Sequence, residues 1–215
     1  MGVWHGEFRH RRLVEVYDAV CVWSREDDFF VSVVGETPAA RVPDLGCGTG
    51  RLTLALAGAG HADTGVDPAR ASLDAAQAKP GAERVTWLEG TARSLPTTDF
   101  DVATMTAHVA QFLLADEDWR ATLHDLYRCL VPGGRLIFDS RDPHAREWER
   151  WNPHHSRRTV ELADGSMVET WVDVTSSAST AGGVASRSVP ETASCSSLRV
   201  GHASEAPGRR EQAAS

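Results

Sequence analysis

Residues 42–50 read Val-Pro-Asp-Leu-Gly-Cys-Gly-Thr-Gly, a short apolar run that ends in three glycines at alternate positions, Gly46, Gly48 and Gly50. Glycine weakens both strands and helices. Three so close together mark a backbone that must enter positive φ or let something approach the main chain. An apolar strand that turns through glycines into a helix offers free N–H groups and a partial positive charge, about half an elementary charge, to its ligand. The stretch predicts a nucleotide-like ligand at the end of a first strand.

The rest of the chain repeats that strand–helix rhythm. Apolar runs start near 42, 62, 84, 100 and 135, and between them lie helix-like stretches such as GRLTLALAGAG, ARASLDAAQAK and DEDWRATLHDLYRCL. In the last, Trp119, Leu123, Leu126, Tyr127 and Leu130 share one stripe behind an acidic start at Asp116. VPGG at 131–134 is expected to end that helix, and RLIFD to follow as a strand. Alternating strands and helices need crossover connections, so the fold class is α/β, a doubly wound Rossmann-like parallel sheet. Residues 36–141 form its core.

Two amphipathic helices are expected before the core, one carrying Leu13, Val16, Tyr17 and Val20, the next stopping at Gly35. Residues 142–175 are expected to hold a helix and then a hairpin turning at Asp164-Gly165. Its apolar faces come from Val160, Leu162, Val168, Trp171 and Val174. Of the last 40 residues 22 are Ser, Ala or Gly and none is aromatic, too little apolar surface to offset ordering. Residues 176–215 are therefore expected to be mostly disordered.

Composition narrows the partners. A formal charge of −8 argues against a nucleic-acid backbone as the main partner, and Arg9, Arg11 and Arg12 read as the wet face of a helix. Cys21, Cys47, Cys129 and Cys195 share no short spacing and read as free thiols, and the nine histidines show no metal-ligand spacing. With no 18-residue apolar run and a polar N-terminus, the expected protein is cytoplasmic, with no membrane partner and no metal.

The loop's spacing refines the ligand. A dinucleotide site favours G-x-G-x-x-G, whereas here the pattern is G-C-G-T-G and Arg51 takes the late glycine's place, which suits a ligand without a pyrophosphate. Asp67, 21 residues after Gly46, ends the second strand, where it could accept from two ribose hydroxyls. Each such charge-assisted bond is worth about 1.5–3 kcal/mol.

These residues resemble the class I S-adenosylmethionine-dependent methyltransferases of the small-molecule bacterial type. PDLGCGTG is similar to their first motif, GVDPA to the second, VTWLEGTARSLP to the third, and LVPGGRLIFD to the Pro-Gly-Gly turn and fifth strand. The resemblance implies S-adenosylmethionine as cofactor and a small metabolite as methyl acceptor. It implies that Asp44 and the Gly46, Gly48, Gly50 loop hold the cofactor's amino-acid end, that Asp67 takes the ribose, and that Thr91 and Ala92 lie beside the adenine. Tyr17 would help close the site, and residues 1–35 with the hairpin would form a lid. His108, after the fourth strand FDVATMTA, would lie near the methyl as candidate catalytic base, with Gln111 on the same face.

Each of these has a plainer alternative. His108 could merely line the pocket, Gln111 could cap or face solvent, Tyr17 could be a core aromatic, Asp44 could satisfy loop N–H groups, and Asp67 could form an Asp-Pro turn. Trp148 and Trp151 could wall the substrate or simply pack. The chain also departs from the pattern. Pro43 loses a ladder bond in a central strand, Thr91 stands where an acid usually meets the adenine amine, and the final sheet strands are missing from the Ser-Ala-rich tail. That last departure suggests an out-of-frame or otherwise aberrant end past about 175. Two rival functions follow: a cofactor-binding but inactive or truncated methyltransferase-like protein, and a nicotinamide-dependent oxidoreductase on the same fold.

Overall fold

The computed structural model describes residues 8–97, 99–173 and 201–202. Strands β1 (Arg41–Leu45), β2 (Ala62–Asp67), β3 (Thr86–Glu89), β4 (Phe100–Met105) and β5 (Leu130–Phe138) form one parallel sheet in the order β3-β2-β1-β4-β5. The order reverses between β1 and β4, so the crossovers after these strands run opposite ways and leave a crevice at their carboxyl ends.

Helices α1 (Arg11–Val20), α2 (Arg25–Gly35), α3 (Arg51–Gly58), α4 (Arg70–Gln77) and α5 (Asp116–Tyr127) supply the outer layers. On one face Phe30 and Val34 of α2 pack with Leu52 and Leu56 of α3 against Val42 and Val102. On the other, Leu126 of α5 and Ala92 and Leu95 of a 3₁₀ turn pack against Leu45, Val66, Ala103 and Met105. Successive strand residues thus feed opposite cores, as doubly wound strands must. A capping box starts α2: the Ser24 N–H donates to Asp27 at 2.7 Å and the Glu26 N–H to the Ser24 hydroxyl at 3.2 Å.

Three details differ from the sequence reading. First, VPGG does not separate helix from strand. Leu130 already pairs with Phe100, and the register then jumps to Val102–Arg135, so residues 131–134 bulge from one continuous strand, with Gly133 at φ +87°. Pro132 has no N–H to give the ladder, which is a physical reason for the bulge to fall there. Second, Tyr127 leaves the apolar stripe and is 81% exposed, because Leu126 takes the inward position at the end of α5. Third, the stretch after Asp142 is a chain of short turns, with one α-turn, α6 (Pro153–Ser156), before the hairpin.

That hairpin joins β6 (Arg158–Glu161) to β7 (Met167–Thr170), with Gly165 at φ +79° in the loop. Leu162 and Val168 bury against Val16 of α1, and Arg12 donates to Asp164 at 2.8 Å and to Ser166 at 2.9 Å. A third strand, β8 (Gly201–His202), pairs antiparallel with β7 opposite Val168 and Glu169, where no partner was expected. The remainder of the predicted disordered tail, its supposed aberrant origin, Val174 and Cys195 lie outside the described residues. Cys21, Cys47 and Cys129 are free thiols.

Pro43 sits in the middle of β1, which pairs with β2 over five residues but registers with β4 only at Asp44–Thr104. Among the described residues the sheet ends at β5, whose outer edge has no strand partner. No described helix is long and apolar enough to cross a membrane.

Candidate functional site

The glycine loop sits at the carboxyl end of β1, and all three glycines are left-handed, at φ +72°, +54° and +77°. Their reasons differ. A side chain at Gly46 would strike Val109, and one at Gly50 would come within 2.6 Å of Trp87 and 3.1 Å of Ala76. A side chain at Gly48 would meet no atom within 4 Å. Two of the glycines therefore make room for the protein itself, and only Gly48 turns an open face outward. The residue the sequence reading missed is Trp87. Its ring also lies within 2.6 Å of where a Gly65 side chain would begin, and its Nε1 donates to the Ala82 carbonyl at 3.0 Å. Small residues at 50 and 65 around one tryptophan were the available signal.

The Asp67 carboxylate bridges the loop and the next turn. It accepts the Gly48 N–H at 2.9 Å on one oxygen and the Ala69 N–H at 2.7 Å on the other. Burial pushes its pKa up, against the pull of those two N–H groups. Asp44 is 1% exposed and accepts from the Thr53 hydroxyl at 2.6 Å and the Thr104 hydroxyl at 2.9 Å. Burial, opposed by these bonds, pushes Asp44 up to about 6. Its two oxygens thus face hydroxyls on α3 and β4, joining β1 to both, and neither loop N–H groups nor open space. Thr91 is exposed and Ala92 buried in the turn after β3, which the Gly90 N–H ties to the Asp67 carbonyl at 3.0 Å.

Tyr17 reaches the site from α1. Its ring meets Phe8 edge-on at 5.4 Å, and Phe8 meets Phe112, in the turn after β4, at 6.2 Å. Burial, and next the neighbouring Cys21, push the Tyr17 pKa up. Underneath, α1 and α2 are tied to the loop. The Thr49 hydroxyl donates to Asp18 at 2.5 Å, Lys79 donates to Asp18 and to the Thr49 carbonyl, both at 2.9 Å, and Arg51 pairs with Asp27 at 3.2 Å and reaches the Cys21 carbonyl. These partners stand 24 to 61 residues apart, beyond any spacing argument.

His108 follows β4 at φ +65°, directly after Ala107 at φ +53°. Two consecutive left-handed non-glycine residues cost about 1–3 kcal/mol each, so the surroundings must hold them. Asp139, at the end of β5, does: its oxygens accept the His108 N–H at 3.2 and 3.0 Å, and its carboxylate also meets the ring Nδ1. Partial burial pushes Asp139 up, but the His108 ring and N–H outweigh it and the net shift is down. Gln111 accepts from Arg141 at 2.8 Å while its Nε2 is buried without a partner among the described residues, and the Arg141 guanidinium lies 4.8 Å over the Trp151 ring. Trp148 lies in a separate 3₁₀ turn, Glu147–Arg150.

Beside His108 a cavity of about 380 Å³ opens over the ends of β4 and β5, lined by Arg25, Glu26, Phe29, Phe138, Asp139 and others. The structure therefore gathers Gly48 and Asp67 at one end of the crevice and His108 at the other, with Val109 against Gly46 between them.

Known proteins share part of this sequence and the fold around it. Residues 42–134 match the family described as "Methyltransferase domain". A methyltransferase of a Geobacillus species is 35% identical over 108 residues, 49% of this chain and 44% of its own length. Cypemycin N-terminal methyltransferase of a Streptomyces species is 40% identical over 103 residues, 47% of this chain and 42% of its own. The chain thus spans about half the length of the curated relatives it matches. Among solved structures, the CcbJ methyltransferase of Streptomyces caelestis shares the fold with a TM-score of 0.53 at 22% identity, covering 73% of this chain and 64% of that one. The motifs, the sheet order and these matches agree in making residues 42–134 similar to a methyltransferase domain, on a fold that known methyltransferases share.

Proposed function

We propose that the protein transfers a methyl group from S-adenosylmethionine to a small metabolite in the cytoplasm. One observation carries the reading: Gly48, the loop glycine with an open face, donates its N–H to the buried Asp67 carboxylate. The pair fits the cofactor. A side chain at position 48 would fill the cradle, and each Asp67 oxygen already accepts one N–H and keeps a second lone pair for a ribose hydroxyl.

When bound, S-adenosylmethionine supplies an electrophilic methyl on a sulfonium leaving group. The chain's part is binding, orientation and exclusion of water. Gly48 and its loop admit the amino-acid end, Asp67 holds the ribose, and Thr91 and Ala92 flank the adenine. Asp44 takes a supporting role, fixing the loop through Thr53 and Thr104. Tyr17 and Phe8 roof the crevice. His108 stands ready to take a proton from the acceptor.

Calorimetry on the full chain tests this. S-Adenosylmethionine and its demethylated product should both bind; silence with both, or tighter binding of a reduced nicotinamide cofactor, would overturn it. The outer edge of β5, unpaired among the described residues, favours a second reading, a cofactor-binding protein without turnover. Binding without methyl transfer to a broad acceptor panel would select that one.

A further inference from the structure

We infer that Asp139 is a positioning residue for His108, and that the pair serves an acceptor whose nucleophile is a hydroxyl on an aromatic ring, seated against Phe29 and Phe138. The inference rests on the methyltransferase reading above and adds the acceptor's chemistry to it.

The Asp139 carboxylate engages His108 twice, at the backbone N–H and at ring Nδ1. The double grip fixes both the left-handed turn and the ring's orientation. With Nδ1 lying against that carboxylate, Nε2 is the nitrogen placed to accept a proton, and a carboxylate beside Nδ1 stabilises the imidazolium that results. Such a base is wasted on a carboxylate acceptor, which has no proton to lose. It suits a weakly acidic hydroxyl of the phenol kind, with a pKa of about 10.

The cavity beside His108 supplies the other half of the argument. Its walls include Phe29 and Phe138, which remain 58% and 44% exposed although each is braced by a second ring. Phe29 stands edge-on to Phe30 at 5.7 Å, and Phe138 to Trp119 at 5.5 Å. Braced, open aromatic faces at 380 Å³ suit a planar one- or two-ring ligand. The polar end of the same cavity is His108, Asp139 and Ser140. Arg25 and Glu26, at the start of α2, are the remaining charged residues on the wall; their signs oppose, so Asp139 sets the field at the ring.

The step balances without another reactant. The hydroxyl proton passes to His108 Nε2, the oxygen forms a bond to the methyl carbon, and the carbon–sulfur bond breaks with its electron pair left on sulfur. The imidazolium then releases the proton to solvent.

Naphthol, naphthylamine and naphthoate serve as probes on the full chain with S-adenosylhomocysteine present, read by fluorescence and by the histidine ring signals in NMR. The His108 signal is assigned by its loss in His108→Gln. Naphthol should bind at least tenfold more tightly than the other two, shift the His108 signal, and lose about tenfold in affinity in Phe29→Ala. In Asp139→Asn the acid limb of the pH–rate profile should move to lower pH. A merely structural role would lower activity without moving that limb. Equal or tighter binding of naphthylamine or naphthoate, or a His108 signal unmoved by naphthol in the wild-type chain, would overturn the inference while leaving cofactor binding intact. Failure of S-adenosylhomocysteine itself to bind would sink the parent reading, and this one with it.

Discussion

The two halves of the sheet build their ends of the crevice by different means. On the β1–β2 side the structure is made of backbone: left-handed glycines, N–H groups on Asp67, and an indole that fits only where side chains are missing. On the β4–β5 side it is made of long-range side-chain pairs, His108 with Asp139 and Gln111 with Arg141, 31 and 30 residues apart. Backbone constraints write themselves into a short stretch of sequence. Paired side chains leave no such trace.

The sharpest break of this contrast lies within the loop. Gly50→Ala should be destabilised by about 2–5 kcal/mol, summing the clash with Trp87 and the cost of a left-handed side chain, as read by urea unfolding. Gly48→Ala should lose only the conformational part, about 1–2 kcal/mol, yet weaken cofactor binding more than its stability loss suggests. If the two variants unfold alike, Trp87 does not explain the glycine at 50.

Next comes the carboxylate that the loop holds. Asp67→Ala should weaken S-adenosylmethionine binding by tenfold or more, about 1.5–3 kcal/mol, measured by calorimetry. Unchanged affinity would remove Asp67 from the ligand's path and leave it as a turn residue holding Ala69.

What was legible follows the same line. Periodicity located all five strands and the principal helices, because apolar alternation and 3.6-residue stripes are local. Gly46, Gly48, Gly50 and Asp67 were legible together because spacing along one β-turn-α-β unit fixes their meeting. Spacing could not separate the three glycines, since Trp87 arrives from β3 and Val109 from the turn after β4. Asp139 was hidden, being an ordinary residue at the end of a strand until His108 turns toward it. The bulge at VPGG and the exposure of Tyr127 were hidden as well, because both depend on which partner strand or helix face is already taken.

One residue on the legible side breaks the rule. Asp63, in β2, is 3% exposed and neither carboxylate oxygen has a hydrogen-bond partner among the described residues, so no packing or pairing there accounts for an acid. Burial, and then the nearby Asp44, push its pKa up to about 8. A raised folded-state pKa means the folded protein binds the proton more tightly than the unfolded chain. Its penalty is absent below the unfolded value near 3.8, grows as pH rises toward about 8, and is complete above that. Asp63→Val should therefore gain about 1–3 kcal/mol at neutral pH and flatten the fall in stability across that window, measured by urea unfolding at several pH values. An unchanged pH profile would mean that the carboxyl finds a partner or solvent in the folded protein.

The smallest effect is expected on the β4–β5 side, at Tyr127. Helical periodicity puts this residue on the same stripe as Leu123 and Leu126, where truncation would cost several kcal/mol, whereas the folded chain leaves it 81% exposed. Tyr127→Gln should change stability by less than about 0.5 kcal/mol in the full chain. The comparison with Leu126→Ala makes the result interpretable, since that buried neighbour should cost about 2–5 kcal/mol. If Tyr127→Gln instead costs more than about 1.5 kcal/mol, this end of α5 is covered in the folded protein, and the outer side of β5 is less bare than its exposed aromatics suggest.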